Sequence, residues 1–295
     1  MTRGTIGRDW KLSTRMFATM AMLAAVYIAF LAFLSSLGVG VGLLVVIAGV
    51  MLGAQYFFSD RLAMLGMGAK EVSAEEAPEL HAIIGRLAQL ANIPKPRVAI
   101  SDMPIANAFA TGRSPKRAVI AVTRVLMEGL EPAELEAVLS HEISHVVHRD
   151  VAVMTLASFF AMLAFFIMRS FLWMGIFGGG DDEDSGGGSM VVVWLVSMVV
   201  YLVSQVLILA LGRYRELAAD RGGAQLTGHP SHLASALVKI SGAMERMPQR
   251  DMRQVETMNA FFIVPTKVKE IFSTHPSLDR RLRQLAQIQQ ELERS

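Results

Sequence analysis

Apolar residues run without a single charge from Met16 to Phe58, from Val151 to Met168 and from Met190 to Leu211. A helix rises about 1.5 Å per residue and needs roughly 20 residues to cross a ~30 Å hydrocarbon core, so the first run is too long for one crossing. The glycine-rich Leu37-Gly38-Val39-Gly40-Val41-Gly42 divides it. Four membrane-spanning helices are therefore predicted: two within residues 16–58 and a hairpin of two within 151–211. Elsewhere the pattern changes. Leu80, Ile83, Ile84, Leu87 and Leu90 recur at helical spacing behind the capping-box sequence Ser73-Ala74-Glu75-Glu76, and that helix is expected to stop before Pro94. Residues 97–101, 107–111 and 118–123 read as short strands, with a turn over 112–116. After Pro132 no Gly or Pro occurs as far as Trp173, which predicts one continuous helix running into the third span. Leu278, Leu282, Leu285, Ile288 and Leu292 line one face of a C-terminal helix. The fold class expected is an α+β membrane protein with four transmembrane helices and a mainly helical extramembrane domain containing a small β-sheet.

The expected organisation is a tail over 1–15, spans 1 and 2 over 16–58, a first polar part over 59–150, the hairpin of spans 3 and 4 over 151–211, and a second polar part over 212–295. Arg3, Arg8, Lys11 and Arg15 precede the first span as they would in a signal peptide. That apolar stretch exceeds a typical signal core and leads straight into a second span, so a retained anchor is expected. Ten basic residues fall in 59–150 and thirteen in 212–295, which with the first four leaves only Arg169 elsewhere. The positive-inside rule then puts both termini and both polar parts in the cytoplasm, in a multi-pass protein of the inner (plasma) membrane. Asp181, Asp182, Glu183 and Asp184 lie in an outer loop flanked by glycine runs. Such runs hold no fixed ligand geometry, so a solvated loop is expected there rather than a calcium site.

Composition narrows the chemistry. With 53% hydrophobic and 18% charged residues, the chain is too apolar to be wholly soluble. Twenty-eight Lys+Arg against 26 Asp+Glu, with no basic run of five, give no electrostatic footprint for nucleic acid. The absence of cysteine excludes disulfides, a thiol nucleophile and Cys-ligated zinc. A transition-metal site would have to be built from His and carboxylates.

Such a site is suggested by His141-Glu142-Ile143-Ser144-His145. Residues i and i+4 share a helical face, so both imidazoles can reach one metal while Glu142 addresses the attacking water. A catalytic zinc wants a third protein ligand and an open position. In the extended form of this motif a third histidine follows; here that place is Val151, and His148 stands where a glycine is usual. Arg215-Glu216-Leu217-Ala218-Ala219-Asp220 follows the fourth span closely, just as His145 precedes the third, and the hairpin returns both to one membrane face. Glu216 is thus the expected third ligand. Asp220, one turn on, is suited to accept a hydrogen bond from a ligand histidine and fix its tautomer.

Four ordered motifs make the chain similar to the HtpX membrane zinc proteases, relatives of the CAAX prenyl proteases. They are Asn107-Ala108-Phe109-Ala110-Thr111-Gly112, His141 to His145, Glu216 to Asp220, and Ser273-Thr274-His275-Pro276-Ser277-Leu278-Asp279-Arg280-Arg281-Leu282. The resemblance covers nearly the whole chain, including the order of the spans. It implies a gluzincin-like protease domain, one Zn2+ bound by His141, His145 and Glu216, and Glu142 as catalytic base. It implies that Asn107 to Gly112 form an edge strand pairing with substrate, with Asn107 and Phe109 as substrate contacts. It also implies removal of damaged or misassembled membrane proteins, a quality-control and stress-response role with membrane and cytoplasmic proteins as substrates. His275 has two readings, oxyanion stabilisation or loop anchoring, and Arg281 is a further candidate for the former. His148 lies outside the family pattern, on the face of His145. Other functions consistent with the motifs are a CAAX-type prenyl-protein endopeptidase, whose relatives usually have more spans, and a non-proteolytic membrane scaffold. A transporter would place ionisable groups inside its spans, and these runs have no Asp, Glu, His, Lys or Arg.

Overall fold

A computed structural model describes residues 10–37, 41–177, 187–246, 263 and 275–294. The acidic outer loop, the N-terminal tail and part of the chain between 247 and 274 lie outside the described residues. Three long helices carry the apolar runs: α1 (Trp10–Ser36), α6 (Asp150–Phe177) and α7 (Gly187–Thr227). Among the described residues these three contain segments long and apolar enough to cross a membrane, over Ser13–Ser36, Asp150–Trp173 and Met190–Thr227. The second expected span falls on α2 (Val41–Gly66), which outruns the uncharged stretch by two turns. Tyr27 ties the bundle together. Its hydroxyl donates to the Phe160 carbonyl of α6 and lies 3.1 Å from Ser204 Oγ of α7, so this buried hydroxyl is not stranded among the apolar side chains.

The extramembrane layer is built on a four-stranded sheet in the order β1 (Ala69–Glu71), β2 (Arg97–Ser101), β4 (Val119–Thr123), β3 (Ala108–Thr111). β2 and β4 pair in parallel; β1 and β3 flank them antiparallel. β3 is therefore an edge strand among the described residues. The return from β3 to β4 needs Gly112 at φ +112, because a Cβ there would sit 2.4 Å from the Arg117 carbonyl.

Against this sheet packs α5 (Pro132–His148), with α3 (Pro78–Leu90), α8 (Pro230–Glu245) and α9 (Leu278–Glu293) around it. Leu139 and Ile143 of α5 are fully buried, each stabilising the fold by roughly 1.5–3 kcal/mol. Glu134 locks α5 to α8: Ser235 Oγ and Lys239 Nζ each donate to its carboxylate at 2.7 Å. The hydrogen bonds from Ser73 and Glu76 form as a capping box, but they close a turn, and α3 starts only at Pro78, which supplies the fixed φ of a first helical residue.

The continuous helix expected over residues 132–173 is broken. Arg149 adopts φ 57, ψ 38 and ends α5, and Asp150 opens α6. The lack of Gly and Pro allows an unbroken helix but does not enforce one. What the kink achieves is local: it folds the Asp150 carboxylate back onto His145.

Candidate metal centre

α5 and α7 carry the reactive side chains and lie unusually close. A Cβ on Gly223 would be 2.8 Å from the His141 backbone nitrogen, and the Gly223 carbonyl accepts from Ser140 Oγ at 3.1 Å. Only hydrogen at this position lets α7 approach near enough for Glu216 to reach the imidazoles. Glu216 Oε2 stands 3.6 Å from His141 Nε2, and Oε1 stands 3.5 Å from His145 Nε2. The two Nε2 atoms are 3.1 Å apart. His141, His145 and Glu216, all buried, form a group whose ligand atoms lie within 4.8 Å of one another and could hold a metal ion.

The outer ring nitrogens decide what that convergence means. His141 Nδ1 faces Asp220 Oδ1 at 2.9 Å, and His145 Nδ1 faces Asp150 Oδ2 at 2.6 Å. Each carboxylate holds a proton on Nδ1 and so leaves a lone pair on Nε2. Two lone pairs 3.1 Å apart repel unless a cation lies between them. Without metal that cation is a proton: burial alone would lower the His141 pKa, but the hydrogen bonds to Asp220 and Glu216 push it up to about 10. A divalent ion displacing that proton meets two imidazoles and a carboxylate at one point, the donor set that suits zinc.

Asp220 and Asp150 are themselves held. Arg281, 1% exposed, donates Nε and Nη2 to Asp220 at 2.8 and 2.6 Å, a bidentate pair. Its remaining Nη1 donates to the Ile263 carbonyl at 2.7 Å, so Arg281 is engaged as a buttress. Arg215 Nε lies 3.2 Å from Asp150 Oδ1 and joins the membrane ends of α6 and α7. Asp150 and the buttressing role of Arg281 escaped the sequence reading. A signal for Asp150 was present in the charged His148-Arg149-Asp150 at the edge of an apolar run, where a helix end is cheap.

Glu142 is buried, its carboxyl pushed up first by desolvation, with the neighbouring His145 and His141 opposing, and it hydrogen-bonds the Ala110 backbone in β3. His275, also buried, places Nδ1 3.1 Å from Glu216 Oε2. Phe109 lines the same cavity. Asn107 does not. Its side-chain oxygen accepts from the Ile263 backbone at 2.9 Å, and its backbone N–H donates to Thr123 Oγ1 at 2.9 Å. His148 is outside the metal-competent group: its Nδ1 pairs with Ser144 Oγ at 3.3 Å, and burial holds its pKa below the ordinary value.

All five candidate residues, His141, Glu142, His145, Glu216 and His275, open onto one cavity of about 310 Å3. Its other walls are β3 and faces of α2, α6 and α7.

Comparison with known proteins agrees with this assembly. Residues 74–289 match Peptidase family M48. A protein named Protease HtpX homolog from Moorella thermoacetica is 58% identical over 99% of each chain. Protease HtpX homolog 2 from Methanosarcina mazei is 53% identical over 97% of this chain and 98% of its own. The crystal structure of S. mikatae Ste24p shares the fold, with a TM-score of 0.53 at 18% identity over 96% of this chain and 68% of that one. With a family match across most of the chain and near full-length relatives above half identity, this membrane protein belongs to peptidase family M48 and is a metallopeptidase of the HtpX type.

Proposed function

We propose that the chain is a zinc-dependent endopeptidase that cleaves damaged or misassembled membrane proteins at the cytoplasmic face of the inner membrane. One observation carries the reading: the Nε2 atoms of His141 and His145, the Glu216 carboxylate, the Glu142 carboxyl and the edge strand β3 share one cavity. In the proposed site His141, His145 and Glu216 hold one Zn2+, which when bound supplies a Lewis acid for a peptide carbonyl and lowers the pKa of water. Asp220 and Asp150 fix the imidazole tautomers from outside.

Glu142 is placed to take the proton of the attacking water and deliver it to the leaving amine, and burial, which pushes its pKa up, suits a carboxyl that must bind and release a proton. His275 is assigned to stabilise the developing oxyanion, with Glu216 orienting its ring. Substrate is laid as an added strand on β3, which recognises backbone and tolerates many side chains, as quality control requires. Phe109 meets the substrate from β3, while Asn107 acts through the Ile263 backbone that it holds. α2 is assigned as the second of four spans, completing an arrangement in which the basic segments and both termini are cytoplasmic.

The test uses full-length protein purified in detergent. It should contain one zinc per chain and cleave unstructured peptides internally, and a chelator should remove both properties. Reporter fusions after Asp184 and after Ser295 should read as external and cytoplasmic. Zinc-free active protein, or a reporter pair on the same side, contradicts the corresponding part of the reading.

A further inference from the structure

The cavity does not end at the metal centre. Beyond Val151 it continues along α6 past Met154, Thr155 and Ser158, and Gln55 and Ser59 of α2 line the same cavity. Residues 151, 154, 155 and 158 stand at i, i+3, i+4 and i+7, so one stripe of α6 forms this wall. The stripe belongs to the apolar segment Asp150–Trp173. Polar groups at such a depth are costly unless satisfied or set against a water-filled space.

Hydroxyls elsewhere in these helices follow that rule. Ser170 donates to the Phe166 carbonyl at 2.9 Å, Ser197 to Val193 at 2.7 Å and Ser204 to Val200 at 2.7 Å. Thr155 and Ser158 could make the same bond one turn back and, among the described residues, do not. Thr155 is nevertheless buried, and Gln55 Oε1 is buried without a hydrogen-bond partner among the described residues. Three uncharged polar groups thus line the cavity that also holds the candidate metal ligands and Glu142.

Resting on the proposed peptidase activity, we propose that Gln55, Thr155 and Ser158 form a substrate subsite for an uncharged hydrogen-bonding side chain, that of Ser, Thr, Asn or Gln. Two hydroxyls and an amide offer both donors and acceptors but no charge, so such a side chain is matched while an aliphatic one leaves them unpaired. Helix rise puts Thr155 about 7 Å and Ser158 about 12 Å beyond Asp150, the residue that holds His145. At about 3.3 Å per residue an extended peptide covers that span in two to four residues. The preferred side chain therefore lies two to four positions from the scissile bond, on the flank of the peptide that heads into the bilayer.

Cleavage-site profiling of a peptide library by the zinc-loaded, detergent-solubilised full chain tests this, because preference is a ratio read within one preparation. The native protein should favour Ser, Thr, Asn or Gln over Leu or Val at one such position by about five-fold per hydrogen bond. In Thr155→Val/Ser158→Ala, and separately in Gln55→Leu, the ratio should fall toward one, whereas Thr155→Ser should keep it. Stoichiometric zinc in each variant certifies that the fold is retained. No preference in the native protein, or the same preference in the Val/Ala and Leu variants, overturns the subsite and leaves the peptidase reading standing. Zinc-loaded native protein that cleaves no peptide overturns both.

Discussion

Asp150→Asn removes one charge from a residue that no metal-binding pattern flags, and its effect can be worked out from two contacts. Asp150 is 1% exposed and accepts at 2.6 Å from His145 Nδ1, while its other oxygen faces Arg215 Nε at 3.2 Å. The neutral amide can present an oxygen to only one of these donors, so either the His145 tautomer or the guanidinium loses its partner. A buried hydrogen bond to a charged group contributes about 1.5–3 kcal/mol, and 1.36 kcal/mol is a factor of ten, so zinc should be held roughly 10- to 150-fold more weakly. Removing an outer partner of a metal-ligating histidine typically costs about 10- to 100-fold, an overlapping range. Competition with a fluorescent zinc chelator on the solubilised protein measures the dissociation constant directly, independently of catalysis. Asp150→Glu, which keeps the charge but lengthens the arm, should fall between the two. A dissociation constant within two-fold of the native value in Asp150→Asn would refute the idea that the broken helix exists to deliver this carboxylate.

Other outcomes follow from the same geometry. Glu142→Gln should retain stoichiometric zinc by metal analysis while lowering turnover by at least ~10², since the residue moves a proton and holds no metal. Gly223→Ala should push α7 away from α5, because its Cβ would meet the His141 backbone at 2.8 Å; a lower melting temperature together with weaker zinc retention is expected, and unchanged values would show that α7 is free to shift. Glu134 has a lowered pKa: burial opposes this, and the bonds from Lys239, Ser235 and the Glu131 backbone outweigh it. A depressed carboxylate stabilises above its unfolded value near 4.5 and loses that contribution as pH falls through the lower folded value. Glu134→Gln should therefore cost about 1–2 kcal/mol at pH 7 in denaturant melts, with the difference from native closing in more acidic buffer.

The parts of this molecule legible in its sequence are those set by local periodicity and short-range chemistry. Apolar runs without charge marked α1, α6 and α7, and three of the four strands announced themselves through β-branched and apolar residues between turn residues. β1, Ala69–Glu71, did not: an Ala, a Lys and a Glu have no strand preference, and only pairing with β2 makes them one. The parallel β2–β4 pairing was equally invisible, since it depends on contacts between segments, and the edge position of β3 came only from the family resemblance. Around the metal centre, the i, i+4 spacing of His141 and His145 and the return of the membrane hairpin brought Glu216 and Asp220 into view. Asp150 stayed hidden because its position depends on a left-handed Arg149, a conformation that no Gly or Asn advertises. Asn107 was legible as a member of a strand motif, but its buried bond to Ile263 links positions 156 residues apart and has no local signature. Gln55 passed unnoticed for the opposite reason: one amide in an apolar run gains meaning only when α6 is set beside it.

The central claim is that Glu216, carried back by the membrane hairpin, completes a metal centre begun by His141 and His145. Metal analysis of purified Glu216→Ala and His148→Ala tests it most directly, because both residues lie close to the histidine pair and only one belongs to the convergent group. The account predicts that Glu216→Ala loses zinc or holds it far more weakly, while His148→Ala keeps one zinc per chain. Stoichiometric zinc in Glu216→Ala together with its loss in His148→Ala would contradict it.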